Sequence, residues 1–172
     1  MASISLDGKA AIVTGSGSGL GQVMALALAA AGAGVLVADK RQGAIDATLG
    51  QAGDDAARLT GCVADVATED GRAAITKACL DSFGRIDALI NNAGIGQDTI
   101  RGDYATSPIP PWEPAPEHLH NFFAVHTVAP LRLAASVLPT MREQGTGRII
   151  TVTTSLTTMT RNNMTAYGGA KA

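Results

Sequence analysis

Apolar residues cluster along the chain in short β-rich runs, separated by longer stretches with helical patterning. The short runs are Ala10 to Thr14, Val35 to Asp39, Leu59 to Asp65, Ile86 to Asn91 and Arg148 to Thr154. They are rich in valine, isoleucine and leucine and lack clean alternation, which predicts strands buried on both faces. Between them lie helical candidates at Leu20 to Ala31, Gln42 to Gln51, Glu69 to Phe83 and Glu117 to Glu143. This alternation predicts βαβ units and a parallel sheet. Pro130 falls inside the last helix and lacks an N–H. The carbonyl of His126 therefore loses its usual partner, and a kink is expected there. Two stretches break the pattern. Gly94 to Pro116 holds Pro108, Pro110, Pro111, Pro114 and Pro116 around Trp112. It reads as a stiff surface loop. Leu156 to Ala166 is polar, rich in threonine and asparagine, and follows the fifth strand.

Composition narrows the picture. The chain has 172 residues, 46% hydrophobic and 16% charged, which fits one globular core and not a disordered segment. Its net charge is −2 and it has no lysine or arginine run, which argues against a nucleic-acid partner. Cys62 and Cys79 are the only cysteines. Neither has metal-ligand spacing, so both are expected to be small buried hydrophobes, and no metal is expected. Met1 to Lys9 is polar and unlike a leader peptide. Val23 to Ala38 is uncharged, but it is too short for a bilayer and broken by Gly32 and Gly34. A soluble cytoplasmic protein with no membrane partner is expected.

Between the first strand and the first helix stands Thr14-Gly15-Ser16-Gly17-Ser18-Gly19-Leu20-Gly21. A strand, a glycine turn and a helix N-terminus together present free backbone N–H groups and a partial positive charge to an anion. A Cβ in such a turn would block close approach or forbid the conformation. Gly15, Ser16, Ser18, Gly19, Leu20 and Gly21 are therefore candidate contacts for a dinucleotide pyrophosphate. Asp39 ends the next strand, at about the distance where a carboxylate reaches the adenosine ribose hydroxyls. It favours NAD over NADP, whose 2′-phosphate it would repel. Lys40 and Arg41 follow and soften that preference. Residues 1–172 read as a single doubly wound, Rossmann-like α/β domain.

Tyr167 and Lys171 lie one helical turn apart near the end of the chain. A free phenol titrates near 10, and a neighbouring ammonium favours its ionised form. Such a pair suits a general acid/base serving an oxygen that undergoes hydride transfer. Thr151 to Ser155 closes the fifth strand, where open parallel sheets bind ligands. A hydroxyl there could orient a substrate carbonyl.

Taken together, Thr14 to Gly21, Asp39, Asp65-Val66, Asn91-Asn92-Ala93-Gly94, the Thr154 and Ser155 hydroxyls and Tyr167 with Lys171 resemble the short-chain dehydrogenase/reductase family in order and spacing. The resemblance implies that Asp65 and Val66 contact the adenine and that Asn92, Ala93 and Gly94 line the cofactor cleft. It implies Tyr167 as acid/base and Lys171 as the group that binds the nicotinamide ribose. At the position of the family's catalytic serine stands Thr154. Ser155 is one residue later, and as the only serine in that segment it is the slightly preferred candidate. His126 stands where the family has a helix asparagine that holds a relay water. The resemblance also implies a small carbonyl or alcohol substrate and a homo-oligomer built on the helices around 117–143 and after 167. Further strands would follow Ala172, so the domain is expected to be incomplete at its C-terminus, with a pairing edge and an apolar sheet face uncovered. The alternative is a dinucleotide-binding module without catalysis.

Overall fold

Each apolar run becomes a strand, and all five pair in parallel. The computed structural model describes residues 5–171. The strands are β1 (Ala10–Thr14), β2 (Gly34–Asp39), β3 (Leu59–Val63), β4 (Ala88–Asn91) and β5 (Arg148–Thr151), in the spatial order β3-β2-β1-β4-β5. β1 sits in the centre. Ala10 pairs with Gly34 on one side, and Ala11 pairs with Ala88 on the other. The chain builds outward from β1 through β2 and β3, then returns to β1's other edge. The carboxyl ends of β1 and β4 therefore flank the topological switch point, where a crevice forms in open sheets.

The period-2 geometry of the strands divides the core into two layers. Ile12, Leu36 and Leu89 face one way, toward α3 (Glu69–Phe83) and α5 (Ala129–Glu143). Val13, Val35, Val37 and Ile90 face the other way, toward α1 (Gly19–Ala30) and α2 (Gln42–Leu49). The ends of α3 are set by local chemistry. Thr68 Oγ1 accepts the N–H of Gly71 (3.0 Å), Glu69 and Asp70 occupy the first turn, and Gly84 closes the helix at φ 68°. A third cluster joins α4 (Pro116–Phe123) to α7 (Thr165–Lys171) through Phe122, Ala166 and Ala170.

Several boundaries differ from the sequence pattern. β3 and β5 stop pairing at Val63 and Thr151, short of the expected Asp65 and Thr154. β5 is exposed along its whole length, Ile149 and Ile150 included, so the expectation of burial on both faces fails there. It is an edge strand that pairs with β4 alone among the described residues. The expected helix from Glu117 to Glu143 is α4, a π turn (Ala124–Val128) and α5. The irregularity thus falls just before Pro130, with the Ala129 N–H reaching back five residues to the Ala124 carbonyl. Pro139 lies inside α5. By length and composition, the 28-residue stretch Pro116–Glu143 is apolar enough to cross a membrane. Here its Val125, Ala129, Leu133, Val137 and Met141 are buried on the sheet.

The Gly94–Pro116 segment is a surface loop with internal anchors. It contains a short 3-10 turn (Gln97–Thr99), and Gln97 and Ile109 are buried. The Arg101 guanidinium donates to Glu113 Oε1 and to the Ser107 carbonyl. Trp112 remains 84% exposed. The polar segment after β5 includes the short helix α6 (Leu156–Met159) and the first turn of α7. A 3-10 turn at Gly53–Arg58 precedes β3 and has no counterpart in the sequence reading.

Candidate functional site

A cavity of about 620 Å³ opens at the carboxyl ends of β1 to β4 and is closed on one side by α7. Its wall combines Gly15 and Ser18, Asp39 with Lys40 and Arg41, Asp65 and Val66, Asn92 to Gly96, His126, Val152 and Thr153, and Tyr167 with Lys171. Its volume falls within the range of small-molecule sites.

The glycine turn is built by close approach. Gly15 adopts φ +64°, and a Cβ there would lie 2.7 Å from the Ala93 Cα. Gly21 is as tightly held, since a Cβ on it would collide with the Gly15 carbonyl and lie 2.5 Å from Asn92 Nδ2. Ser18 is the extended N-cap of α1, and that helix carries no acidic residue in its first turn. Its positive end is therefore uncompensated.

Thr14 and Asn92 tie the turn to β4. Thr14 Oγ1 accepts the N–H groups of Asn92 and Ala93 (both 3.0 Å) and donates to the Ile90 carbonyl. Asn92 Nδ2 donates to the carbonyls of Thr14 (2.9 Å) and Gly15 (3.2 Å). Thr14 opens the Thr14–Gly21 motif; its role as the tie between the turn and β4 is signalled only by a threonine that ends a strand directly before a glycine turn.

Asp39 is buried, and both its oxygens are already engaged. Oδ2 accepts from the Gly17 N–H (3.2 Å), and Oδ1 accepts from the Arg41 N–H (3.1 Å) and Nε (3.5 Å). The Arg41 guanidinium also reaches Ser18 Oγ (3.3 Å). Asp65 Oδ1 accepts the Ala67 N–H (2.8 Å) at the turn into α3.

Other expected contacts lie off the cavity wall. Ser16 is fully buried, with its hydroxyl donating to the Val13 carbonyl (2.6 Å) and its N–H to that of Ala38. Gly19 and Leu20 open α1, and Leu20 is exposed. Ser155 Oγ accepts the Thr158 N–H (3.2 Å) as the N-cap of α6, whereas the half-buried Thr154 makes no side-chain hydrogen bond among the described residues. Neither lines the cavity; Thr153 does. Asp98, Thr99, Asn121 and Val125 also line it. They come from the proline-rich loop and the α4 region, where no sequence motif pointed to them.

On the opposite wall, Lys171 Nζ donates to the Val152 carbonyl (2.8 Å), fastening α7 to the end of β5. Burial holds its pKa below the ordinary lysine value. His126, on the π turn, stands edge-on to Tyr167, with ring centroids 5.4 Å apart and planes at 75°. Its Nε2 lies 2.9 Å from the Ile95 carbonyl and 3.2 Å from the Ile95 N–H. Burial lowers its pKa, and the Lys171 charge adds to that, while the Ile95 bond opposes it.

Residues 9–172 match the model of the short chain dehydrogenase family. The chain is 28% identical over 170 residues to 7α-hydroxysteroid dehydrogenase of Escherichia coli (strain K12), covering 99% of this chain and 62% of that protein. It is 30% identical over 169 residues to 3-oxoacyl-(acyl-carrier-protein) reductase of Vibrio cholerae, covering 98% and 64%. A solved 7α-hydroxysteroid dehydrogenase, complexed with NADH and 7-oxo glycochenodeoxycholic acid, superposes with a TM-score of 0.83 at 29% identity, covering 98% of this chain and 62% of that one. The 3-ketoacyl-(acyl-carrier-protein) reductase of Brucella melitensis, complexed with NADH, gives 0.84 at 29% identity, covering 97% and 66%. The chain thus spans a little under two thirds of the length of the curated relatives it matches. With a parallel doubly wound sheet, a glycine turn at its switch point and a family match over nearly all of its length, the chain belongs to the short-chain dehydrogenase family of oxidoreductases.

Proposed function

We propose that the protein binds NAD in preference to NADP and serves hydride transfer between that cofactor and a carbonyl or secondary alcohol, with Tyr167 as general acid/base. The observation that carries this reading is the shared cavity. The glycine turn, an acidic residue at the end of β2, the Asn92–Gly94 wall and the Tyr167–Lys171 pair all border one space. The residues fit the cofactor: the approach of Gly15 to Ala93 leaves bare backbone where a side chain would intrude, and the start of α1 offers uncapped N–H groups to a diphosphate. Gly15, Ser18, Gly19, Leu20 and Gly21 would hold the diphosphate, with Ser16 supporting the turn from inside. Asp39 would hold the adenosine ribose, Asp65 and Val66 the adenine, and Asn92, Ala93 and Gly94 the cleft side.

Bound nicotinamide would supply or accept the hydride. The chain's own part is to orient the reacting oxygen and to move its proton. Tyr167 would donate that proton during reduction and accept it during oxidation. Lys171 would hold the nicotinamide ribose and stabilise negative charge on the phenol oxygen. Neither candidate hydroxyl lines the cavity; Thr154 makes no side-chain hydrogen bond among the described residues and would turn its hydroxyl to the substrate carbonyl, whereas the Ser155 hydroxyl is already paired with Thr158 Oγ1 (3.0 Å).

The position of both hydroxyls off the cavity wall favours one second reading, a dinucleotide-binding module without turnover. Both are separated by measuring NADH binding and steady-state turnover on a panel of ketones and secondary alcohols, with Tyr167→Phe as control. The dehydrogenase reading expects Tyr167→Phe to bind NADH normally and to lose about a hundredfold or more in kcat. Binding without Tyr167-dependent turnover would establish the module.

A further inference from the structure

We propose that His126 is a positioning residue: as a neutral imidazole it holds the Gly94–Gly96 strap and the Tyr167 ring in one arrangement, and protonation releases both. The inference deepens the dehydrogenase reading and rests on it, since the placement of Tyr167 matters for catalysis only if that phenol exchanges protons.

Three independent features converge on this ring. The first is backbone geometry. The π turn Ala124–Val128 inserts one extra residue into the helical register beside the site. His126 lies inside that turn and borders the cavity, 8% exposed. The second is the strap. Nε2 is within hydrogen-bond reach of both the N–H and the carbonyl of Ile95. Gly94 packs so closely that a Cβ on it would lie 2.9 Å from the imidazole Cε1. Gly94, Ile95 and Gly96 form cavity wall, so the ring fixes that wall from behind. The third is Nδ1, which is buried and has no hydrogen-bond partner among the described residues.

The neutral ring can serve Ile95 in either tautomer, accepting from its N–H or donating to its carbonyl. The charged ring keeps only the donation to the carbonyl: both nitrogens then carry protons, the Ile95 N–H loses its acceptor, and the buried N–H⁺ at Nδ1, without an acceptor among the described residues, drives the ring to turn toward solvent and away from the strap. The charged groups around the ring reinforce this. Lys171 and Tyr167 approach it from α7, and Asp98 borders the same cavity from the loop after β4. α4 contributes Asn121 and Phe122, and the end of β5 contributes Val152 and Thr153, none of which titrates. An imidazolium would face the Lys171 ammonium without a bonded carboxylate. The folded form therefore resists protonation below the ordinary histidine value of 6.5, and its stability falls as the ring is forced to charge.

The test is an NMR titration from about pH 7.5 to about pH 5, on the whole chain with labelled histidine, labelled tyrosine rings and amide nitrogen. His118→Gln, His120→Gln and Tyr104→Phe variants assign the signals. The expected result is one His126 midpoint below the ordinary range, shared by the Tyr167 ring and the Gly94, Ile95 and Gly96 amides. In His126→Asn those shifts disappear. NADH affinity is expected to fall about tenfold per pH unit below that midpoint in the wild type, and to stay flat in the variant. If His126 titrates while Tyr167 and the strap stay still, or if His126→Asn leaves their pH dependence unchanged, the inference is wrong. Should the variant fail to fold, the wild-type titration alone decides. Absence of NADH binding at neutral pH would instead overturn the functional reading, with the coupled titration judged separately.

Discussion

Gly15→Ala should damage stability and cofactor binding together, by an amount that the structure separates from ordinary glycine effects. Gly15 and Gly19 both have positive φ, +64° and +56°. Alanine in that region costs about 1–2 kcal/mol of backbone strain. Restricting the unfolded chain returns about 0.4–1 kcal/mol. At Gly19 nothing among the described residues lies within 4 Å of the added Cβ, so the balance is a loss of about 1 kcal/mol. At Gly15 the same Cβ meets the Ala93 Cα at 2.7 Å, and overpacking adds about 1–3 kcal/mol. Ala93 cannot yield freely, because its N–H and that of Asn92 are both held by Thr14 Oγ1. Relief must therefore come from separating the glycine turn and the β4 loop, the two sides of the proposed cofactor cleft. Thermal melts followed by far-ultraviolet circular dichroism should place Gly15→Ala below Gly19→Ala by about 2–4 °C for each kcal/mol of that difference. NADH titration should show at least about a tenfold weaker complex for Gly15→Ala. Equal melting temperatures for the two variants would refute the claim that Gly15 is required by contact with Ala93 as well as by its dihedral angle.

Other outcomes can be checked with the same material. Asp87 clamps the amino end of the sheet: burial alone would raise its pKa, but hydrogen bonds from Arg85, the Ala10 N–H and Lys9 overcome this and bring it down to about 2 from the usual 3.8. Its contribution should be complete above about pH 4 and fade as pH falls through about 2. Asp87→Asn should lower the melting temperature at neutral pH and flatten that acid limb, which melts across pH would register. Thr154→Ala should remove most turnover, whereas Ser155→Ala should chiefly loosen α6, at a cost of about 1 kcal/mol or less. An active Thr154→Ala beside an inactive Ser155→Ala in the same ketone-reduction assay would reverse that assignment. Gln97→Ala removes a 2.6 Å donation to the Asn163 carbonyl that joins the loop after β4 to the segment before α7. Faster amide exchange should appear in both segments, together with a stability loss of about 1–2 kcal/mol. An exchange pattern unchanged at Asn163 would show that the bond does not couple them.

The central sheet was legible because β1 and β2 are short runs of mainly small and β-branched apolar residues, buried at every position but Gly34. The same inference failed at β5, where similar residues form an exposed edge: composition reports strand propensity, while burial depends on what packs above and beside the strand. The division of the helix over residues 116–143 was visible only through Pro130. A single π turn shifts the helical period too briefly for periodicity to register, so the placement of His126 beside Tyr167 could not be read from spacing. The glycine turn, Asp39, Asn92 and the Tyr167–Lys171 pair stood out because each demands a particular residue type at a particular place. Asp98, Thr99 and Asn121 reach the cavity through the path of a long loop and the packing of α4, which no local rule encodes.

The strand ends carry a more general lesson about this site. β3 and β5 were expected to run to Asp65 and Thr154, and each stops pairing short of that point. The residues just beyond, Ala64 to Val66 and Val152 to Thr153, line the cavity instead. Their sequence still favours extended backbone, and β-branched residues keep it stiff. The Ala64 and Val152 N–H groups still donate to the Asp39 and Asn91 carbonyls (both 2.9 Å), while the groups that follow turn to other partners: the Val152 carbonyl takes Lys171, and the Asp65 carbonyl and carboxylate shape the entry to α3. A strand that ended abruptly in a flexible loop would supply the same side chains without holding them still. One that stayed paired to Thr154 would confine its carbonyls within the sheet. The overrun of strand-like sequence past the paired residues is therefore what carries stiff backbone, still tethered to the neighbouring strand through the Ala64 and Val152 N–H groups, into the cleft, and it explains why the sequence pattern misjudged strand length at the two walls of the site.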